Sequence, residues 1–367
     1  MKKFTVITLY LVLFSGMTAS SIIYAAEIFN RDGNKIDLDG MVDARHQFSK
    51  NADDAGDQSY TRLGFRGETK ISDRITGFSQ WEYELKASSA EDSDGGTSYT
   101  RLGFAGLKLD DIYYLDYGRN YGILYDIGAW TDVLPVFGND SYQDTDRFMT
   151  GRANNLLTLR NNNFFGFVDG LNFSLQFQGK NESAGENGAG REEAHQNGMG
   201  YGASLIWSND SGINAGLAWA DSQRTLLQKN DHQGNRAGAL TAGMKYDANP
   251  ILLAASYTHS NNLVHIDNYG WAKKADSWEV ASQYTFDSGF QPGIAWVYTR
   301  GTSIGDGIGS LDLVNYIDFS LNYILNDNIT TYADYKVNIL HQHNRAEGSA
   351  LLTPNDNAFG VGLVYQF

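Results

Sequence analysis

Apolar and polar residues alternate one by one along many stretches of this chain. In residues 278–286, one face of an extended segment collects Trp278, Val280, Tyr284 and Phe286. Residues 240–247 and 329–339 repeat the pattern and place charged or hydroxyl side chains on the opposite face. A period of two is typical of a β-strand whose two faces meet different surroundings. The pattern therefore predicts an all-β protein.

The connectors between the predicted strands separate two all-β architectures. From residue 36 onward the pattern predicts sixteen strands, with short and long connectors in turn. The short connectors include residues 72–74, 209–212, 248–250 and 287–289. The long ones include residues 49–58, 87–97, 180–198, 222–237, 260–276, 300–309 and 341–356. A soluble sandwich also alternates, but short turns at one rim and long loops at the other favour a 16-stranded antiparallel transmembrane β-barrel. A barrel of that size has a water-filled lumen.

One long connector differs from the others because it is rich in apolar residues. It lies between a strand that ends near Asn120 and one that begins at Gly151. Its apolar residues are Ile123, Leu124, Tyr125, Ile127, Trp130, Val133, Leu134, Pro135, Val136 and Phe137. Long loops of this kind are usually functional or disordered, and this composition is not that of a disordered segment. We expect the loop to fold inward and narrow the lumen; the alternative is an exposed aromatic loop that binds a partner.

The first 25 residues are predicted to be a signal peptide. Lys2 and Lys3 precede an apolar run, and small residues lead to a cleavage site between Ala25 and Ala26. The apolar run is too short to span a membrane, which argues against an anchor. Residues 26–367 then form the barrel domain.

Composition narrows the function classes further. The 28 basic and 43 acidic residues give a formal net charge of −15, which becomes −17 without Lys2 and Lys3 and argues against a nucleic-acid partner. The absence of cysteine excludes disulfides and thiolate chemistry. Aromatic residues and glycine are abundant, as expected for strands joined by many turns.

Many segments of the chain, taken in order, resemble the enterobacterial general porins of the trimeric osmoporin and phosphoporin group. These segments are AEIFNRDGNKIDLDG, TRLGFRGET, QWEYEL, TRLGFAGLK, DYGRNYGILYD, TDVLPVFGND, FFGFVDGLNF, MKYDAN, DLVNY and the terminal GLVYQF. The resemblance implies a homotrimer of sixteen-stranded barrels, each with a third loop folded into its lumen. It also implies passive diffusion of ions and small hydrophilic solutes, without a cofactor.

The heptapeptide SYTRLGF occurs twice and places two arginines at equivalent positions. Alternation predicts that Arg62 and Arg101 point into the lumen while Leu63, Phe65, Leu102 and Phe104 point outward. The resemblance adds Arg152 to this basic cluster and places Asp132 of the inward loop opposite it. Opposed charges across a narrow aqueous gap orient dipolar solutes and sort ions. The alternative is that these arginines only form salt bridges on a wet wall.

Two positions depart from the porin pattern. Met41 stands where the resemblance implies a wall lysine, and Val136 stands where it implies a second loop acid. Asp43 and Arg45 share the predicted inward face with Met41 and could partly replace the lost charges. We expect a weaker transverse field and a mild cation preference, strongest at low salt because the Debye length is about 30 Å at 0.01 M.

The resemblance also implies several partners. Glu91 and Arg119 lie where the family latches one subunit onto its neighbour, although Glu91 is equally consistent with a solvated loop charge. Phe367 matches the family's signal for the barrel-assembly machinery, and outward rings near the strand ends are expected to meet outer-membrane lipid and lipopolysaccharide.

Other functions have weaker support in the sequence. His341 and His343 lack a third metal ligand at suitable spacing, and Asp140, Asp144 and Asp146 lack the spacing of a calcium-binding EF-hand. No P-loop or dinucleotide motif is present, and nothing marks a particular serine–histidine pair as a hydrolase site. A substrate-selective channel and a barrel enzyme remain the alternatives to a general outer-membrane pore.

Overall fold

The computed structural model of the chain describes residues 26–51, 55–89, 98–182, 191–266, 269–304, 309–340 and 356–367. The predicted signal peptide, residues 1–25, lies outside these ranges.

Sixteen antiparallel strands in the described ranges close into one barrel. The strands are β1 (Asn34–Phe48), β2 (Tyr60–Lys70), β3 (Ile75–Lys86), β4 (Tyr99–Leu109), β5 (Tyr113–Tyr121), β6 (Arg152–Asn161), β7 (Leu171–Gln178), β8 (Gly200–Ser208), β9 (Ile213–Gln223), β10 (Arg236–Ala248), β11 (Ile251–Asn261), β12 (Lys274–Tyr284), β13 (Phe290–Ile304), β14 (Gly309–Ile324), β15 (Ile329–Asn338) and β16 (Ala358–Gln366). Each strand pairs with the next along the chain, and β16 pairs with β1. Closure leaves no exposed sheet edge, which a membrane-spanning sheet requires.

Short elements decorate the described part of the barrel. They are the strands Ala26–Arg31, Gly56–Asp57, His265–Ile266 and Gly270–Trp271, the four-residue helices Tyr125–Gly128 and Asn163–Gly166, and the 3-10 turns Glu193–His195 and Gln228–Asp231. The strand Ala26–Arg31 pairs with the start of β1 and was not among the sixteen expected strands. No helix among the described residues is long and apolar enough to cross a membrane.

The two faces of the strands differ as the alternation predicts. On β10, Leu240 and Met244 are exposed on the outside, whereas Thr241 between them is buried on the inside. On β12, Trp278 and Val280 are exposed, whereas Glu279 is buried. Exposed apolar side chains on the outer wall suit contact with lipid, and polar side chains on the inner wall suit a wet lumen.

The connectors divide as predicted with one exception: the expected long loop 300–309 is wrong, because β13 continues to Ile304 and β14 begins at Gly309. Short turns join strands at one rim, and long loops join them at the other: the inward loop (122–151), loop 4 (179–199), loop 5 (224–235) and loop 6 (262–273) are long. The C-terminal Phe367 lies at the short-turn rim, where its N–H donates to the carbonyl of Gly40 and its carbonyl accepts from the N–H of Gly40, both at 3.0 Å. The chain end is therefore part of the seam that closes the barrel.

Candidate constriction site

Most apolar side chains of the inward loop are buried against the inner barrel wall. Ile123 and Ile127 have no exposed surface, and Trp130 has 5%. The prediction that this connector folds inward is therefore confirmed. Packing these apolar groups against the inner wall removes them from water, which is favourable. The short helix Tyr125–Gly128 lies within this buried part.

Glycines on the wall make room for the loop. A methyl group added at Gly202 of β8 would lie 2.4 Å from Ile123, and one at Gly216 of β9 would lie 2.5 Å from Ile127. At Gly243 of β10, an added methyl group would lie 2.6 Å from Ile127. These distances are shorter than any van der Waals contact, so the loop lies directly on the backbone of three adjacent strands.

Polar contacts fix the rest of the loop to strands farther around the barrel. The carboxylate of Glu279 on β12 accepts hydrogen bonds from the hydroxyl groups of Thr131 and Ser141, the latter at 2.5 Å. The carboxylate of Asp334 on β15 accepts from the backbone N–H of Val136 at 2.9 Å. The loop thus follows the wall from β8 to β15 and leaves a gap beside β2 to β4.

The three predicted arginines lie on the inner wall beside this gap. Arg62 is on β2, Arg101 on β4 and Arg152 at the start of β6. Among the described residues, no carboxylate lies within ion-pair distance of Arg152, whose guanidinium lies 5.8 Å from the ring centre of Tyr121. The structure therefore brings together the basic cluster that the resemblance implied.

Two glutamates that the sequence analysis did not single out pair with this cluster. Glu84 accepts from Arg62 Nε at 2.7 Å and from Arg101 Nη1 at 3.1 Å, and Glu82 pairs with Arg101. Both glutamates lie on β3, between β2 and β4. Period two in QWEYEL places them on the face opposite Trp81 and Tyr83, so strict alternation contained the signal.

The orientation that alternation predicts is wrong for two residues of β4. Leu102 and Phe104 do not point outward: they are buried on the inner side with Phe78, and the rings of Phe78 and Phe104 are 6.3 Å apart. The cause is a β-bulge, because Leu102 pairs with Glu82 and Thr100 with Tyr83, which leaves Arg101 as the extra residue. A bulge re-aims side chains next to it, so Arg101 points inward together with Leu102.

Asp132 is the acid of the inward loop that interacts with the arginines. Its carboxylate accepts a hydrogen bond of 2.5 Å from the Tyr125 hydroxyl. Burial raises the pKa of Asp132, while Arg152, Arg101 and Arg62 act in the opposite sense and favour its charged form. Electrostatic coupling to all three arginines is the arrangement expected of the acid facing them.

The residues of β1 near the gap form a nearly neutral group. Arg62 Nη1 lies 3.8 Å from the sulfur of Met41, so the thioether occupies a place beside the basic cluster. Asp43 is buried, pairs with Arg45 and accepts from the Tyr332 hydroxyl at 2.7 Å. Because Asp43 and Arg45 neutralise each other, they do not restore a net charge.

Val136 follows Asp132 by four residues, near the middle of the inward loop. A methyl group added at Gly360 of β16 would lie 2.9 Å from Val136 Cγ2, so this side chain contacts the wall. Its neighbour Pro135 accepts a hydrogen bond from Arg45 Nη2 at 3.2 Å. The tip of the loop therefore reaches the seam between β16 and β1.

Of the two predicted latch residues, the structure describes only Arg119. Glu91 lies outside the described residues. Arg119 lines an open groove of about 510 Å³ with Tyr99, Asp146 and His195. Its guanidinium pairs with Asp146 of the same chain and donates to the carbonyl of Thr100 at 2.8 Å.

The described residues contain no group of three acidic or histidine side chains placed to hold a metal ion. His341 and His343 lie outside the described ranges. The site consists of fixed charges around a gap, which acts on a passing solute through electrostatics and size.

Comparison with known proteins agrees with this geometry. Residues 31–367 match the family described as Gram-negative porin. Outer membrane porin C of Enterobacter cloacae is 46% identical, with 94% of each chain covered. Outer membrane porin N of Escherichia coli is 45% identical, with 97% of this chain and 98% of that one covered. A solved structure of Salmonella typhi OmpF in complex with daunomycin is 40% identical, with a TM-score of 0.85 over 93% of this chain and 100% of that one.

A family match over nearly the whole chain and relatives above 40% identity both identify this barrel with its inward loop as a porin. The chain belongs to the Gram-negative porins and is a general porin of the outer membrane, through which solutes diffuse passively.

Proposed function

We propose that this porin discriminates weakly between solutes at its constriction and has a mild preference for cations. The observation that carries the proposal is the position of Glu84 between Arg62 and Arg101. One carboxylate on the arginine side of the gap neutralises much of the charge that would otherwise face Asp132. A transverse field needs separated charges, and charges paired within one wall contribute little across the gap.

The predicted constriction residues and their ion-pair partners balance in charge. The positive groups are Arg45, Arg62, Arg101 and Arg152, and the negative groups are Asp43, Glu82, Glu84 and Asp132. With no net charge at the constriction, the acidic chain as a whole sets the ion preference. Without the predicted signal peptide the chain carries a net charge of −17, which attracts cations to the pore mouth, and salt screens this attraction.

The reversal potential of purified protein in a planar bilayer under a KCl gradient tests this proposal. Wild-type channels are expected to show a small cation preference that falls as salt rises. Glu84→Gln leaves Arg62 and Arg101 with less compensation and is expected to shift the reversal potential toward anions. Glu68→Gln is the matched control, since Glu68 of β2 pairs with Lys108 of β4 and lacks contact with the arginine cluster.

A clear anion preference of the wild-type channel would contradict the proposal. Equal shifts in Glu84→Gln and Glu68→Gln would show that the lumen responds only to total charge, which removes the role assigned to the constriction.

We also propose that the protein works as a homotrimer in which Glu91 of one subunit enters the groove at Arg119 of another. The groove is open, and Arg191 and His195 add positive or protonatable groups to its lining. Arg119 already has an acidic partner, so Glu91 would share the guanidinium rather than neutralise an isolated charge.

The remaining partners follow from the outer surface and the chain end. The exposed apolar wall is proposed to contact outer-membrane lipid, and the aromatic rings near the long-loop rim to contact lipopolysaccharide. Phe367 is proposed to be read by the barrel-assembly machinery before its backbone pairs with Gly40 and closes the seam.

A further inference from the structure

Trp271 of loop 6 is buried far from the lipid-facing wall. It has no exposed surface and belongs to the two-residue strand Gly270–Trp271. Five of the other tryptophans are exposed by 36% or more, as befits outward rings: Trp81, Trp207, Trp219, Trp278 and Trp296. A fully buried indole in a loop therefore needs a different explanation from the aromatic belt.

The indole of Trp271 contacts the returning end of the inward loop. The ring of Phe148 packs edge-on at 5.6 Å between centroids. The guanidinium of Arg147 lies 5.7 Å from the indole centroid, within the range of a cation–π contact. Arg147 also donates to the carbonyl of Ala194 in loop 4 at 3.0 Å, so this contact connects two loops.

The same indole contacts loops 4 and 5. Its Nε1–H donates to Glu193 Oε1 of loop 4 at 3.1 Å. Arg224 of loop 5 has its guanidinium 6.0 Å from the indole centroid and is held there by Asp231, which accepts from Arg224 Nη1 at 2.8 Å. The Gln233 side chain of loop 5 donates to the carbonyl of Trp271 at 3.0 Å.

We propose that Trp271 is a positioning residue for permeation, which holds loops 4, 5 and 6 against the returning end of the inward loop. In addition to loop 6, to which it belongs, this one side chain contacts the inward loop, loop 4 and loop 5. Surface loops of this length are normally mobile. These contacts of Trp271, which we call the clamp, therefore restrict the movement of both the pore mouth and the inward loop, which carries Asp132.

Single-channel recording and limited trypsin digestion of purified channels test the proposal together. Trp271→Ala is expected to increase open-channel current noise and the frequency of brief closures. Cleavage at Lys229 in loop 5 is expected to become about tenfold faster, the effect of losing about 1.4 kcal/mol of loop stability. Trp271→Phe keeps a ring but loses the donor to Glu193 and is expected to give a smaller increase in both quantities.

Trp278→Ala is the matched control because Trp278 lies on the exposed outer face of β12. It is expected to leave noise and Lys229 cleavage at wild-type values. Heat resistance of the barrel should be equal in Trp271→Ala and wild type, which separates loop clamping from general destabilisation.

Wild-type noise and wild-type cleavage in Trp271→Ala would overturn the proposal. If Trp271→Ala does not assemble, Trp271→Phe decides: an increase in noise and cleavage supports the clamp, and unchanged values overturn it.

Discussion

At the scale of single residues, the constriction is built from ion pairs whose members lie on adjacent strands. Glu84 bridges Arg62 and Arg101, while Asp132 on the inward loop is coupled to all three arginines across the gap. Arg152 has no carboxylate within ion-pair distance in the described residues. A passing anion therefore meets Arg152 as the least compensated positive group, and a passing cation meets Asp132.

The raised pKa of Asp132 predicts a pH dependence of ion selectivity. Burial raises this pKa, so as the pH falls Asp132 gains its proton before carboxyls of ordinary pKa do. Loss of that negative charge leaves the arginines less balanced, and cation preference should decrease. Reversal potentials measured over a descending pH series should show this decrease.

The control is Asp132→Asn, which is neutral at every pH. Its reversal potential should already be shifted toward anions at neutral pH and should change less on acidification. A wild-type pH response that survives unchanged in Asp132→Asn would assign the titration to other groups.

At the scale of elements, the inward loop is held in two ways. Its early part packs closely against wall glycines, and its later part forms hydrogen bonds with wall carboxylates. Its apolar first half lies on the wall glycines Gly202, Gly216 and Gly243, and its second half bonds to Glu279 and Asp334. Trp130 lies at the boundary between the halves and is 5% exposed. The open cross-section depends on how closely the loop approaches the wall.

Gly243→Ala is expected to move the inward loop toward the lumen. The added methyl group would lie 2.6 Å from Ile127 and 3.1 Å from Trp130, so both side chains must shift. Overpacking of this kind costs about 1–3 kcal/mol. Single-channel conductance should decrease relative to wild type.

Gly77→Ala of β3 is the matched control, because its methyl group would lie 3.5 Å from Ile71, an ordinary contact. It should leave conductance unchanged. An unaltered conductance in Gly243→Ala would mean that the loop adapts without changing the gap.

At the scale of the whole molecule, the barrel separates lipid from water by the alternation of its strands, and it closes where β16 meets β1. The inward loop reaches this same seam through Val136 and Pro135. Closure of the sheet and placement of the loop tip are thus coupled. The groove at Arg119 lies elsewhere, close to the long-loop rim.

Glu91→Ala is expected to lower the temperature at which the trimer dissociates in detergent, because the charge proposed to enter the Arg119 groove is lost. Semi-native gel electrophoresis after heating measures the change. Asp94→Ala removes the same charge from the same loop and should leave the dissociation temperature unaltered. Equal heat resistance in Glu91→Ala and wild type would contradict the latch.

The sequence by itself determined the sixteen strands, the inside and outside of most of them, and the inward course of the apolar loop. These features follow from period two and from connector composition, which are local properties of the chain. Resemblance to the porins supplied the grouping of Arg152 and Asp132 with Arg62 and Arg101. Alternation correctly placed Arg62 on the inner wall for the same local reason.

Only the tertiary structure decided how those charges are paired. The bulge at Arg101 changed the orientation of Leu102 and Phe104, because one extra residue breaks the period on which the prediction depends. The bridge made by Glu84 needs the register of three strands, and the burial of Trp271 needs four loops to meet. Such contacts join residues far apart in sequence, so the closed barrel, and no local pattern, sets them.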